Sequence, residues 1–132
     1  MVEAGLLEPH RNRNAEYLLI IDFEATCEEK NPPGYPHEII EFPAVLVNTS
    51  NEPHIHDVFH AYVKPQINPI LSEFCKALTG IEQEVVDKAK VFPDVLQQFQ
   101  NWLKSHGLGK LYTFLHALGI HWRIGDAIWR RS

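Results

Sequence analysis

The sequence predicts an α/β layered fold, a mixed sheet flanked by helices. Three observations carry this reading. Three strand-like runs follow one another with short connections between Tyr17 and Lys64. A helical apolar repeat then spans Pro93–His106, and a further strand-like run, Lys110–Leu115 (KLYTFL), follows it. Strands, then helices, then a strand stack as layers around one core.

Residues 1–15 (MVEAGLLEPHRNRNA) are polar without a periodic pattern and read as a mobile arm. Tyr17–Phe23 (YLLIIDF) is a short apolar run of the kind found in strands covered on both faces. Glu28–Pro36 is a loop, because Pro32, Pro33 and Gly34 forbid helix and interrupt a ladder. His37–Asn48 resumes strand character, with Pro43 marking a bulge or an edge position. Asn48–Pro53 turns the chain into a third strand, Ile55–Lys64, and the three strands form an antiparallel meander.

The pattern then changes. Ile70–Thr79 places Ile70, Phe74, Ala77 and Leu78 on one side of a helix that Gly80 stops. In Pro93–His106, Val95, Leu96, Phe99, Trp102 and Leu103 follow the helical repeat, which makes Trp102 a core residue. Pro93 suits the first turn of that helix and Gly107 its end. The tail after Leu115 reads as one more helix.

Composition excludes several classes. The chain has 132 residues, a net charge of −5, 45% hydrophobic residues and two cysteines. It is the size of one domain and too apolar for a disordered acidic tail. Two cysteines do not make a disulfide scaffold, and Met1–Arg13 lacks the apolar core of a signal peptide. No apolar stretch reaches the eighteen or so residues of a membrane span. The expectation is a soluble protein of a reducing compartment, cytoplasmic or nuclear, with no membrane partner. The acidic balance disfavours a charge-driven nucleic-acid binder. It is concentrated in the middle of the chain, while Arg11, Arg13, Lys110, Arg123, Arg130 and Arg131 lie towards the ends.

Asp22 and Glu24, within IIDFEAT, are the informative residues. Strand residues two apart share a face at roughly 6.5–7 Å, so both carboxylates emerge together at the end of an apolar strand. Neighbouring carboxylates raise one another's pKa and call for a positive partner, such as a divalent cation that accepts oxygen ligands. The plainer alternative is a strand end whose acids simply face water. Strand mouths are where α/β sheets build sites, which favours the first reading.

Several phrases in order extend this motif: IIDFEATCEE, HEIIEFPAVLVN, FHAYVKP, LSEFCKALTGI and VFPDVLQQFQNWL. Together, from about Tyr17 to Leu103, they resemble the 3'-5' exonucleases of the DEDDh superfamily. The Eri type, which includes the histone-mRNA exonucleases, is the group resembled. The resemblance implies a ribonuclease H-like fold, hydrolysis at the 3' ends of RNA or single-stranded nucleic acid, and two Mg²⁺ or Mn²⁺ ions. It implies that Asp22 and Glu24 are the first two acidic metal ligands and catalytic residues. Ala25 and Thr26 match the stretch that approaches the terminal nucleotide. Leu78, Thr79, Gly80 and Ile81 match the LTGI turn that packs beside the terminal base.

The sequence departs from the family towards its C-terminus. The third acid of the family lies in a phrase resembling DG-x-W-D. Here the corresponding stretch is HALGIHWRIGDAIWRRS, in which Trp122 keeps its place and Arg123 takes that of the ligand. Asp126 lies a helical turn further on. A phrase resembling H-x-G-x-x-D-D, which would supply a general-base histidine and a fourth acid, is absent, and neither His116 nor His121 sits in such a phrase. The expected organisation is an arm over 1–15, the N-terminal part of an exonuclease domain over 16–115 and a divergent tail over 116–132. The domain is then incomplete at the C-terminus. Two functions follow: a two-metal-ion exoribonuclease, or a truncated, inactive product that binds RNA, metal or protein. An unclosed sheet is expected to expose Trp102, Trp122 and Trp129 and to favour self-association through apolar surface.

Two further features read as structural. His54, His56 and His60 share one exposed face if Ile55–Lys64 is a regular strand, and Cys27 is a packed small residue rather than a metal ligand. Arg11, Arg13, Arg130 and Arg131 form only a weak basic patch.

Overall fold

The computed structural model describes residues 17–50 and 52–109. The expected arm, the strand at Lys110–Leu115 and the tail helix lie outside these residues. The described chain forms five strands, β1 (Tyr17–Ile21), β2 (Glu24–Ala25), β3 (Ile39–Asn48), β4 (His54–Lys64) and β5 (Lys90–Val91). Three helices accompany them, α1 (Glu73–Thr79), α2 (Gln83–Asp87) and α3 (Phe92–Ser105). The sheet order is β1-β3-β4-β5, with β2 also on β3; only the β4–β5 pair is parallel. This is the mixed α/β architecture expected, with the meander formed by β1, β3 and β4.

Alternation along β3 sets the core. Ile40, Phe42, Ala44 and Leu46 are fully buried, while the residues between them stay partly exposed. Two-residue periodicity thus gives the sheet an inner face, on which α3 lays Val95, Phe99 and Leu103. Phe42 lies 4.7 Å from Phe23 and from Phe99, ring centre to centre, and 5.5 Å from Phe59. Phe42 and Phe99 are fully buried, and each such ring stabilises the fold by about 1.5–3 kcal/mol relative to exposure. A second cluster, Ile40, Leu71, Cys75, Ile81 and Val86, holds α1 and α2 at the end of the sheet beside β2.

Four departures from the sequence reading have physical causes. The first strand is not continuous. It breaks at Asp22–Phe23 and resumes at Glu24 in the same register against β3. Pro43 stands opposite Asp22 in that register and has no N–H to give to the ladder. Pro43 therefore lies in a central strand, not at an edge, and interrupts pairing beside the carboxylates. Secondly, among the described residues β1 is covered on one face: Ile20 is exposed and belongs to neither apolar cluster.

Thirdly, α1 begins only at Glu73, after Ser72, whose hydroxyl accepts the Cys75 N–H. Its buried side carries Cys75, whereas Ile70, Phe74, Ala77 and Leu78 face outward. Fourthly, a bulge in β4 lets both His56 and Asp57 reach the inner side. Pairing steps from Leu46–Asp57 to Val47–Ile55, which leaves His56 as the extra residue. The His56 ring lies 5.3 Å from that of His106, whereas His60, opposite Pro43, is on the outer face. The three strand histidines do not share a face. Trp102 is not exposed either. It stacks on Phe99, and its Nε1–H donates to Asp57 at 2.8 Å.

Candidate nucleotide and metal site

Asp22 lies in the break between β1 and β2 and Glu24 opens β2, and the register puts both on the outer face of the sheet. Asp22 is exposed and Glu24 is half-buried. Across the ladder, Glu41 of β3 stands directly opposite Glu24 and accepts a hydrogen bond from His60 Nε2 at 2.7 Å. Burial first, then the negative charges of Asp22 and Glu41, raise the Glu24 carboxyl above its ordinary value. Three acids thus gather at the strand mouth. Sequence reasoning found two of them and missed Glu41, because the antiparallel register that brings it in spans the whole loop between β2 and β3.

The acids do not make a closed metal site. Among the described residues, no three His, Cys, Asp or Glu side chains are placed to hold one metal ion. Asp22 and Glu24 offer carboxylate oxygens of the kind Mg²⁺ or Mn²⁺ accepts, but Glu41 is engaged with His60. The described donor set is therefore too small for the two-ion centre that the sequence resemblance implies.

The predicted nucleotide-contacting segments come together through α1. The Ser72 hydroxyl donates to the Cys27 carbonyl at 2.8 Å, and the Cys75 thiol donates to the Ala25 carbonyl at 3.7 Å. These contacts fix α1, and the LTGI turn at its end, against Ala25–Cys27. Cys27 and Cys75 are both free thiols, and Cys27 is pushed up to about 11 by burial and by its hydrogen bond with Cys75.

Within the turn, the roles divide. Leu78 is 66% exposed and faces outward. Thr79 donates its hydroxyl to the Cys75 carbonyl and accepts the Ile81 N–H. Gly80 adopts φ 72° to cap the helix, its N–H donating to the Lys76 carbonyl at 2.9 Å. The Ile81 side chain is buried in the second cluster. Ala25 is half-buried and Thr26 is buried. The Thr26 hydroxyl accepts the Glu38 N–H at 2.9 Å, and its own N–H donates to the Glu38 carbonyl at 2.8 Å.

Glu38 is a further residue that sequence reasoning missed. It is only 6% exposed, and its carboxylate accepts the N–H groups of Gln66, Ile67 and Asn68 at 2.6–2.8 Å. This clamp ties the loop leading to α1 to the segment carrying Thr26. It acts on the site through its support.

The sequence matches the Exonuclease family model over residues 19–121. It is 54% identical over 99 residues to 3'-5' exoribonuclease 1 of Homo sapiens, a stretch that is 75% of this chain and 28% of that protein. It is 51% identical over 90 residues to 3'-5' exonuclease eri1 of Schizosaccharomyces pombe, 68% of this chain and 30% of that one. Among solved structures, the nuclease domain of 3'hExo, a DEDDh family member bound to rAMP, superposes with a TM-score of 0.68 at 56% identity. That match covers 71% of this chain and 46% of that chain. A 3'-exonuclease in 3'-end specific recognition of histone mRNA stem-loop gives a TM-score of 0.68 at 55% identity, over 71% of this chain and 32% of that one. The chain thus spans less than a third of the length of the curated relatives named here.

Proposed function

The chain belongs to the DEDDh-type 3'-5' exonuclease family, and from that membership we propose that the 132-residue polypeptide binds RNA 3' ends without hydrolysing them. One observation carries the reading: Asp22 and Glu24 stand at the strand mouth, but no third group among the described residues joins them to hold a metal ion. The sequence adds to it. Aligned on Trp122, Arg123 takes the place that the family resemblance gives to its third acid. An arginine is always a cation at physiological pH and does not ligate one.

RNA is the ligand class because the relatives are named exoribonucleases. In this reading Asp22 and Glu24 meet the terminal sugar, directly or through one loosely held Mg²⁺ or Mn²⁺, and Leu78 and Gly80 lie beside the terminal base. Ala25 and Thr26 border the nucleotide through the backbone, while Thr79 and Ile81 shape the turn from beneath. No hydrolytic step is assigned. No described helix is long and apolar enough to cross a membrane, and a nuclear or cytoplasmic setting accords with an RNA ligand. Self-association through apolar surface, expected partly from Trp102, loses that contributor to the core.

Binding is tested by fluorescence anisotropy with 5'-labelled single-stranded RNA bearing either a free 3' hydroxyl or a 3' phosphate. The expected result is tighter binding of the free end, weakened by Leu78→Ala. Equal affinity for the two ends, or none for either, contradicts 3'-end recognition.

A further inference from the structure

The only two cysteines of the chain, distant in sequence, meet in the fold, and both are free. Cys75 is fully buried in the second apolar cluster, and the half-buried Cys27 packs against that cluster. One hydroxyl spans their backbones: Ser72 Oγ donates to the Cys27 carbonyl at 2.8 Å and accepts the Cys75 N–H at 3.0 Å. The two thiols share a hydrogen bond, and the Cys75 thiol also donates to the Ala25 carbonyl at 3.7 Å. Among the described residues no third ligand joins them to make a metal centre. What remains for two sulfurs in contact is the chemistry they have with each other.

We propose that Cys27 and Cys75 form a reversible disulfide site, closed by a small-molecule disulfide such as oxidised glutathione, which locks α1 and its LTGI turn onto Ala25–Cys27. The Cys27 thiolate, the more accessible of the two, attacks one sulfur of the oxidant, and a glutathione thiolate leaves and takes up a proton. The Cys75 thiolate then attacks the Cys27 sulfur of the mixed disulfide and expels the second glutathione. Two protein thiols are oxidised, one glutathione disulfide is reduced to two thiols, and both protons end on glutathione. Burial keeps the Cys27 thiol protonated at neutral pH, so closure is slow and answers sustained rather than brief oxidation. Closure removes the Cys75 thiol proton, so the Ala25 carbonyl loses its sulfur donor and a covalent bond takes over the anchoring of α1. It also closes a loop of about fifty residues, which constrains the unfolded chain and favours the folded one. The site leaves Asp22 and Glu24 untouched and stands whether or not the chain binds RNA.

A glutathione redox titration of the full chain tests it, run in native buffer and in urea. Free thiols are trapped by alkylation, and peptides are mapped by mass spectrometry. The expected product is a monomer in which the Cys27 and Cys75 peptides are joined, and which excess reduced glutathione opens again. A disulfide that stabilises the fold is favoured by the fold to the same extent. Closure is therefore expected to be about a hundredfold more favourable in native buffer than in urea. The oxidised protein should melt about 10 °C higher than the reduced one, and Cys27→Ser should show no such shift. Thiols still free at the oxidising end, an unresolved glutathione adduct at Cys27, or dimers joined through Cys27 would each overturn the proposal. Equal closure in native buffer and in urea would overturn it too, since the fold would then contribute nothing to the pairing.

Discussion

Glu24 and Glu41 face each other directly across the β2–β3 ladder, and Glu41 is in turn hydrogen-bonded by His60. Like charges directly opposite on a sheet are destabilising. Together with burial and Asp22, Glu41 holds the Glu24 carboxyl above its ordinary 4.5. The folded state therefore favours the neutral acid. That contribution is fully present below pH 4.5 and is lost as pH rises through the elevated value. Glu24→Gln is expected to stabilise the protein at neutral pH by about 0.5 kcal/mol, with the gain vanishing below pH 4.5. Urea unfolding midpoints at the two pH values check this; an equal gain at both would show that charge is not the cause.

Glu38 holds three consecutive backbone N–H groups of the loop before α1. Glu38→Ala leaves these donors without their acceptor and should cost about 2–3 kcal/mol. The urea midpoint should fall with an unchanged slope, and amide exchange should quicken at Gln66, Ile67 and Asn68. A loss confined to global stability, without faster exchange at these amides, would contradict the clamp.

At Gly80 the backbone takes φ 72°, and an added Cβ would meet no atom within 4 Å. Strain, not crowding, therefore sets the cost of a side chain. Gly80→Ala is expected to destabilise by about 1 kcal/mol, and Gly80→Asn by less, since asparagine tolerates the left-handed region. Thermal melts of the two variants give the order; equal losses would point to a steric cause instead.

Asp57 accepts hydrogen bonds from Trp102 Nε1 at 2.8 Å and His106 Nε2 at 2.7 Å. The Trp102 bond first, then that of His106, then the Val58 N–H, hold its carboxyl below the ordinary 3.8. The resulting stability is present above pH 3.8 and lost as pH falls through the lowered value. Asp57→Asn should therefore lower the melting temperature at neutral pH, and the gap from the parent protein should narrow in acid. A gap independent of pH would assign the loss to packing.

Local patterns made much of this fold legible. The repeat from Val95 to Leu103, with Pro93 in the first turn, is sufficient for α3, and alternation from Ile40 to Leu46 is sufficient for β3. Asp22 and Glu24 could be singled out as candidates because their motif lies within three residues. What escaped depends on distant partners. Pro43 breaks the first strand across a register, not along the sequence. The orientation of α1 is decided by the contacts of Ser72 with Cys27 and of Cys75 with Ala25, 45 and 50 residues apart. Glu38 finds its donors 28–30 residues on, and a single bulge separates His56 from His60.

The most direct measurement is release of labelled mononucleotide from a 3'-labelled single-stranded RNA by the purified polypeptide, with Mg²⁺ or Mn²⁺ present. Binding without release, unchanged in rate from the double variant Asp22→Ala/Glu24→Ala, is the predicted result. Metal-dependent release by the parent chain that disappears in the double variant would contradict it, and would show that the two carboxylates sustain catalysis in this chain.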